Sequence, residues 1–244
     1  MHLKGKTTLV TGAANRIGKA IALGFARSGS NIILHYFRSE NEARITQKEI
    51  QKLGVTCRLA PGDFSSPENV EEFIKNHGKH LESVSILVNS ASIFHETPLE
   101  KLTASEAEKF LDIHLLAAMR LGQMIGLHLR EKKEEGVIIN ITDARLLSPY
   151  RGHAPYFAAK AALENLTHTL ARELAPHVRV NTVAPGVISF PENYSEEKKQ
   201  AIIKKIPLGR PGSPEDIANA CVFLAQASYV NGASLVIDGG RSLH

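Results

Sequence analysis

The segment TTLVTGAANRIGKAIALGFARSG, residues 7 to 29, sets the architecture. TTLV is a short apolar run of strand type, and IGKAIALGFAR carries apolar residues at helical spacing until Gly29 stops it. Between them TGAANRIG turns strand directly into helix, so its backbone amides and the helix dipole face any anion held there. Gly12 and Gly18 let the backbone approach closely, whereas position 16, where such loops carry another glycine, holds Arg16.

Working outward, the same unit recurs. NIILHY precedes ENEARITQKEIQKLG, CRLA precedes PENVEEFIKNHG, and SILVNSA precedes a helical pattern from about 103 to 130. GVIINIT leads to a helix over 154–175, VRVNTVAP to a charged helical piece near 195–205 and to PEDIANACVFLAQ, and SLVIDGG closes the series. Seven strands with crossover helices predict an α/β fold, a doubly wound parallel sheet with helices on both faces. Ligands then belong at the carboxyl ends of the strands. Gly54 stops a helix, and Ser213 with Pro214 opens one. The 244 residues read as a single domain, with a nucleotide-binding half over about 1–90 and a catalytic and substrate half over about 91–244.

A net charge of +4 without a block of like charges argues against nucleic acid as partner and suits a small anionic ligand. Cys57 and Cys221 lie far apart in apolar runs, as buried thiols do, and His77 and His80 share a helix face without further ligands, so no metal is expected. The N-terminus lacks a signal-type apolar segment, and no stretch reaches the roughly 18 apolar residues of a membrane span, so a cytoplasmic protein is expected.

Two stretches carry chemistry. The second strand ends in LHYFRS, where a dinucleotide's ribose would be met; no Asp or Glu precedes Glu40, while Arg38, Ser39 and nearby His35 offer donors. That set points to the 2′-phosphate of NADP(H). In YFAAK, Tyr156 and Lys160 stand one helical turn apart on one face. An ammonium about 4 Å away is worth at most about 4 kcal/mol, enough to draw a phenol down from about 10 toward working pH. Tyr194 and Lys198 repeat the spacing within a charged run, but only Tyr156 follows a strand that delivers a polar residue, Asp143, thirteen positions earlier.

The TGxxx loop, LVNSAS, the polar residue before YxxxK, VRVNTVAPG and the terminal VIDGG together resemble the short-chain dehydrogenase/reductase family over essentially the whole chain. The resemblance implies a Rossmann-type fold, NADPH as cofactor and a homotetramer built through the helices of 103–130 and 154–175. It implies cofactor contacts from Arg16, Ile17, His35, Tyr36, Arg38, Ser39, Asp63, Phe64, Asn89, Ala91, Ser92, Tyr156, Lys160, Pro185, Gly186 and Ile188. Asn89 would also support the central strand, and Lys160 would lower the pKa of Tyr156, the proton donor. Arg16, Ser92, Asp143 and His114 depart from the common pattern, Asp143 standing in the place of a catalytic serine and His114 in that of a relay asparagine. The first three are similar to pteridine reductases. His114, the flap over about 187–205 and DGGRSL are similar to dihydromonapterin reductases.

The expected activity is therefore reduction of a dihydropteridine C=N by NADPH, with Asp143, Tyr156 and Lys160 catalytic and Arg16, Ser92, Phe94, Asp143 and Tyr156 around the pterin. Phe94 would stack on a flat ring, and Arg16 and Ser92 would donate to its acceptors. An ionised aspartate only accepts, which makes ketone reduction awkward. The alternatives are a carbonyl reductase such as a 3-oxoacyl-thioester reductase and a non-catalytic NADPH-binding regulator. The terminal RSLH is expected to reach toward a neighbouring subunit.

Overall fold

Each expected strand forms, and all seven lie in one parallel sheet of order β3-β2-β1-β4-β5-β6-β7. The computed structural model describes residues 1–190 and 194–243. The strands are β1 (Thr7–Val10), β2 (Asn31–Tyr36), β3 (Cys57–Pro61), β4 (Val84–Asn89), β5 (Gly136–Ile141), β6 (Val178–Pro185) and β7 (Ser234–Ile237). Between them run α1 (Arg16–Arg27), α2 (Glu40–Gln51), α3 (Pro67–Leu81), α4 (Ala104–Leu111), α5 (Ala117–Lys132), α6 (Ala154–Glu173), α7 (Glu196–Ile203) and α8 (Pro214–Gln226).

Alternation along the strands produces two cores. Ile32, Leu34, Val137 and Ile139 join Ile21 and Phe25 of α1, Ile50 of α2 and Leu224 of α8 on one face. Ile33 and Ile138 join Phe73 of α3, Leu121 and Ile125 of α5 and Leu170 of α6 on the other. A side chain as fully buried as Phe25 or Leu121 contributes about 2 kcal/mol. Both faces are thus covered, which explains why the strands read as continuous apolar runs.

The helix expected over 103–130 is interrupted. Thr103 caps α4 by accepting from the Glu106 amide, and a π-helical turn over Asp112–Leu116 separates α4 from α5. By length and composition alone the helical run Ala104–Lys132, π turn included, would pass for a membrane span. Its apolar side chains Leu121, Ile125 and Leu129 pack into the second core, which accounts for that composition. Both cysteines are buried, and burial pushes their thiols up.

Neighbours β1 and β4 are remote in sequence, and the strand order runs outward from them in opposite directions. A crevice opens at the carboxyl ends of such a pair, and the loops after β1, β4, β5 and β6 meet there.

Candidate active site

After β1 the chain makes its glycine turn. Gly12 has φ +66°, and a Cβ there would lie 2.9 Å from Ala91 Cα; one on Gly18 would lie 2.2 Å from Gly12 O. Loop, β4 and α1 therefore touch backbone to backbone. Thr11 fixes the crossing, its Oγ1 accepting from the amides of Ser90 and Ala91, each at 2.9 Å. The first turn of α1 carries no acidic residue, and Asn15 makes no side-chain cap, so the helix end stays electropositive. Arg16 keeps the left-handed backbone of the glycine it replaces, φ 51°, and its Nη2 donates to Ser189 Oγ at 3.1 Å. Ile17 packs beside the first core.

His35 does something other than expected. Its Nδ1 accepts from the Gly12 amide at 3.0 Å, so Nε2 bears the hydrogen and donates to Gly62 O at 3.1 Å. The ring stacks on Phe64 with centroids 4.1 Å apart, and burial lowers its pKa to about 4. Both nitrogens are occupied, so His35 is a neutral strut between the phosphate loop and β3, with no donor left for a ribose. Phe64 is likewise buried against Phe73, which leaves only its backbone for a cofactor. Tyr36 is buried at the end of β2.

The end of β2 is cationic. Arg38 is exposed and lies over the Phe37 ring at 4.8 Å, with no ion-pair partner among the described residues, while Glu40 is taken by Arg44 at 2.6 Å. The Ser39 hydroxyl makes no cap to α2. Asp63 folds back on Ser65, accepting from its amide at 2.9 Å and its hydroxyl at 2.8 Å. His77 is partly covered, resting on Phe73 and donating from Nε2 to Pro61 O at 3.1 Å.

Asp143, Tyr156 and Lys160 converge at the ends of β5 and α6. The Tyr156 hydroxyl donates to Asp143 Oδ2 at 3.0 Å, and Asp143 Oδ1 accepts from the Arg145 amide at 2.8 Å. Lys160 Nζ donates to Ile141 O at 2.6 Å and lies 5.9 Å from the Tyr156 ring centroid. The electrostatics reverse the expectation that lysine would depress the tyrosine. Burial raises the Tyr156 pKa well above its ordinary value, and the Asp143 carboxylate adds to that. Burial also raises Asp143 and lowers Lys160 to about 8, the latter opposed by the Asp143 charge. The phenol is thus held protonated, as a proton donor must be.

Behind these groups a buried polar chain ties the sheet to α6: Asn89 Nδ2 donates to Asn140 Oδ1, and Asn140 Nδ2 to Thr167 Oγ1, both at 2.8 Å. On the far side Pro185 O accepts from the Ala144 amide at 3.0 Å. Gly186 is pressed on Asp238, where a Cβ would come within 2.6 Å of Asp238 Cβ. Ile188 packs against the first core.

The loop after β4 holds further differences. Ser92 sends its hydroxyl hydrogen to His114 Nε2 at 3.0 Å, so it faces a ligand as an acceptor and not as the expected donor. Phe94 is half exposed, stacked on His153 at 4.5 Å and edge-on to Tyr156 at 4.9 Å, so it is not a core anchor. Within the flap, Lys198 caps the ring face of Tyr194 at 3.6 Å, far from the geometry of a proton relay. Residues 191–193 of the flap and His244 lie outside the described residues.

Sequence reasoning missed His153 and Tyr150 and gave Arg241 no role within its own chain. The His153 ring backs Phe94, its Nδ1 donating to His95 O at 3.0 Å. Arg241 is buried and donates to Ile202 O at 3.0 Å and to the Tyr150 hydroxyl at 3.3 Å. The terminal segment expected to reach a neighbour thus turns Arg241 into its own chain. The aromatic cluster in YRGHAPYF was the available signal, but its loop residues follow no period.

Sequence and fold are similar to those of known proteins. A family model described as enoyl-(acyl carrier protein) reductase matches residues 12–242. The chain is 35% identical to 3beta-hydroxysteroid dehydrogenase 1 of Eggerthella lenta, covering 99% of this chain and 95% of that protein. It is 32% identical to the uncharacterized oxidoreductase YhdF of Bacillus subtilis, covering 98% and 84% respectively. Acetoin dehydrogenase from Enterobacter cloacae superposes with a TM-score of 0.86 at 32% identity, over 98% of this chain and 96% of that one. Acetoin dehydrogenase YohF from Salmonella typhimurium does so with 0.86 at 33%, over 98% of each.

Proposed function

Since the chain belongs to the short-chain dehydrogenase/reductase family, and so is an oxidoreductase that uses a nicotinamide cofactor, we propose that it reduces a small carbonyl compound to the alcohol with NADPH. The observation that carries this reading is the hydrogen-bonded Asp143–Tyr156 pair beside Lys160, at the mouth of a glycine loop. The bound nicotinamide supplies the hydride. Tyr156, kept protonated, gives its hydrogen to the oxygen that becomes negative. Asp143 had seemed ill suited to ketones because a carboxylate only accepts; burial raises its pKa, and in its protonated form the carboxyl would donate as a serine would. Lys160 would hold the ribose. Arg38 and Ser39, with no carboxylate before Glu40, favour a 2′-phosphate and so NADPH over NADH. The electropositive end of α1 and the bare backbone at Gly12 fit the diphosphate. Small carbonyl substrates agree with the dehydrogenase names of the relatives, and a cytoplasmic homotetramer belongs to the same reading.

A second reading keeps the ring C=N of a dihydropteridine as acceptor. It is favoured by Asp143 in the serine position and by the open face of Phe94, and the comparisons do not support it. Purified protein is assayed for NADPH and NADH oxidation with diacetyl, acetoin, a 3-ketosteroid, an acetoacetyl thioester and dihydromonapterin. Turnover of a carbonyl compound supports the first reading, and turnover confined to the pterin replaces it with the second. Equal rates with NADH remove the role given to Arg38.

A further inference from the structure

His114 sits at the centre of the π-helical turn, 2% exposed, and both of its nitrogens are committed. Nδ1 lies 2.9 Å from Phe110 O; a carbonyl only accepts, so Nδ1 bears the hydrogen. Nε2 is then a lone pair, and it receives the Ile93 amide at 3.2 Å and the Ser92 hydroxyl at 3.0 Å. Partners on α4 and on the loop after β4 thus fix one tautomer. A hydrogen added at Nε2 would point at the Ile93 N–H and displace it. The charged group facing the ring is Lys160, across a small cavity also lined by Thr11 and Asn89. Burial foremost, then that ammonium, draws the imidazole pKa down to about 3.

The ring also touches the reaction site. It stands edge-on to Tyr156 at 5.4 Å and 89°, and the segment it holds carries Phe94, itself 4.9 Å from Tyr156. The π turn widens the helix by one residue at this point, as such turns do at functional sites.

We infer that His114 is a positioning residue: as a neutral double acceptor at Nε2 it anchors residues 92–94, and through them sets Phe94 against Tyr156, without carrying the proton. The kinetic part rests on the proposed role of Tyr156; the tautomer does not.

Three measurements test it. Heteronuclear NMR of nitrogen-labelled histidine, read from about pH 5 to about pH 9, shows one neutral ring with its hydrogen on Nδ1. His114→Gln, whose amide oxygen can replace Nε2 but cannot shuttle protons through a ring, keeps kcat/KM within about threefold with an unchanged pH profile. His114→Leu, which strands the Ile93 amide, raises the substrate KM about tenfold or more while cofactor affinity stays within about twofold. A proton carrier would instead lose kcat by about a hundredfold or more in the glutamine variant. That result in folded protein, or an imidazolium or Nε2–H form of the ring assigned to His114 by NMR, overturns the inference. If neither variant folds, the NMR result decides alone. If no substrate turns over, the proposed function fails while the tautomer is still decided.

Discussion

With its carboxyl bonded to the Tyr156 hydroxyl and its pKa raised by burial, Asp143 offers reduction a donor only while it is protonated. The sign follows directly: as pH climbs through that raised pKa the donor is lost, and kcat/KM for carbonyl reduction falls toward about tenfold per pH unit. Asp143→Ser supplies a hydroxyl donor at every pH, so paired pH–rate profiles should show this limb in the wild type and its absence in the variant. Arg16 presents a different balance. A side chain at φ 51° costs about 1 kcal/mol that glycine does not incur, partly offset by the freedom glycine gains on unfolding. Arg16→Gly is therefore expected to be neutral to about 1 kcal/mol more stable by denaturant titration. The same variant should bind NADPH about tenfold more weakly, because a charge-assisted partner for the diphosphate is gone. Unchanged cofactor affinity would show that the strained arginine serves Ser189 alone.

Two helical glycines show how differently one residue type acts within an element. Gly18 in α1 lies against Gly12 O, where a methyl group has nowhere to go, and Gly78 in α3 faces open space. Gly78→Ala should raise stability by about 0.5–1 kcal/mol through helix propensity. Gly18→Ala should lower both the melting temperature and NADPH affinity, since helix and loop must part; calorimetry and cofactor titration check the pair. The contrast was half legible in the sequence: the loop motif marked Gly18, while nothing distinguished Gly78. The elements themselves were legible because strand alternation and helical spacing are local signals, and the start of α8 was marked by Ser213 and Pro214. The π turn was not, because one extra residue in a helix leaves the apolar pattern on either side intact. His35 was misassigned for a related reason. Its position after the glycine loop suggested a ribose, and only the fold shows both nitrogens spent on Gly12 and Gly62.

At the scale of the molecule, seven apolar runs separated by crossover helices admit few topologies, so the sheet could be read before it was seen. The substrate could not be read so directly, because it depends on how loops after β4, β5 and β6 face one another across the crevice, and sequence spacing carries no information about that distance. Tyr150, His153 and Arg241 come together only there. The same assembly buries His35 and His114 as neutral rings with pKa values lowered to about 4 and about 3, and this gives the whole chain an acid limit. Unfolded, both imidazoles titrate at about 6.5. As pH falls below that value the unfolded state takes up protons that the folded state refuses, so stability declines, by about 1.4 kcal/mol per pH unit for each ring. The loss runs from about pH 6.5 down to the folded values and then levels off, because below them both states are protonated. Urea midpoints measured from about pH 7.5 to about pH 4.5 should fall as these two rings titrate in the unfolded chain alone. His114→Gln should flatten that slope by about half, since one of the two linked protons is removed. A slope unchanged in the variant would mean that His114 already holds a proton in the folded chain, contrary to the three hydrogen bonds that surround it.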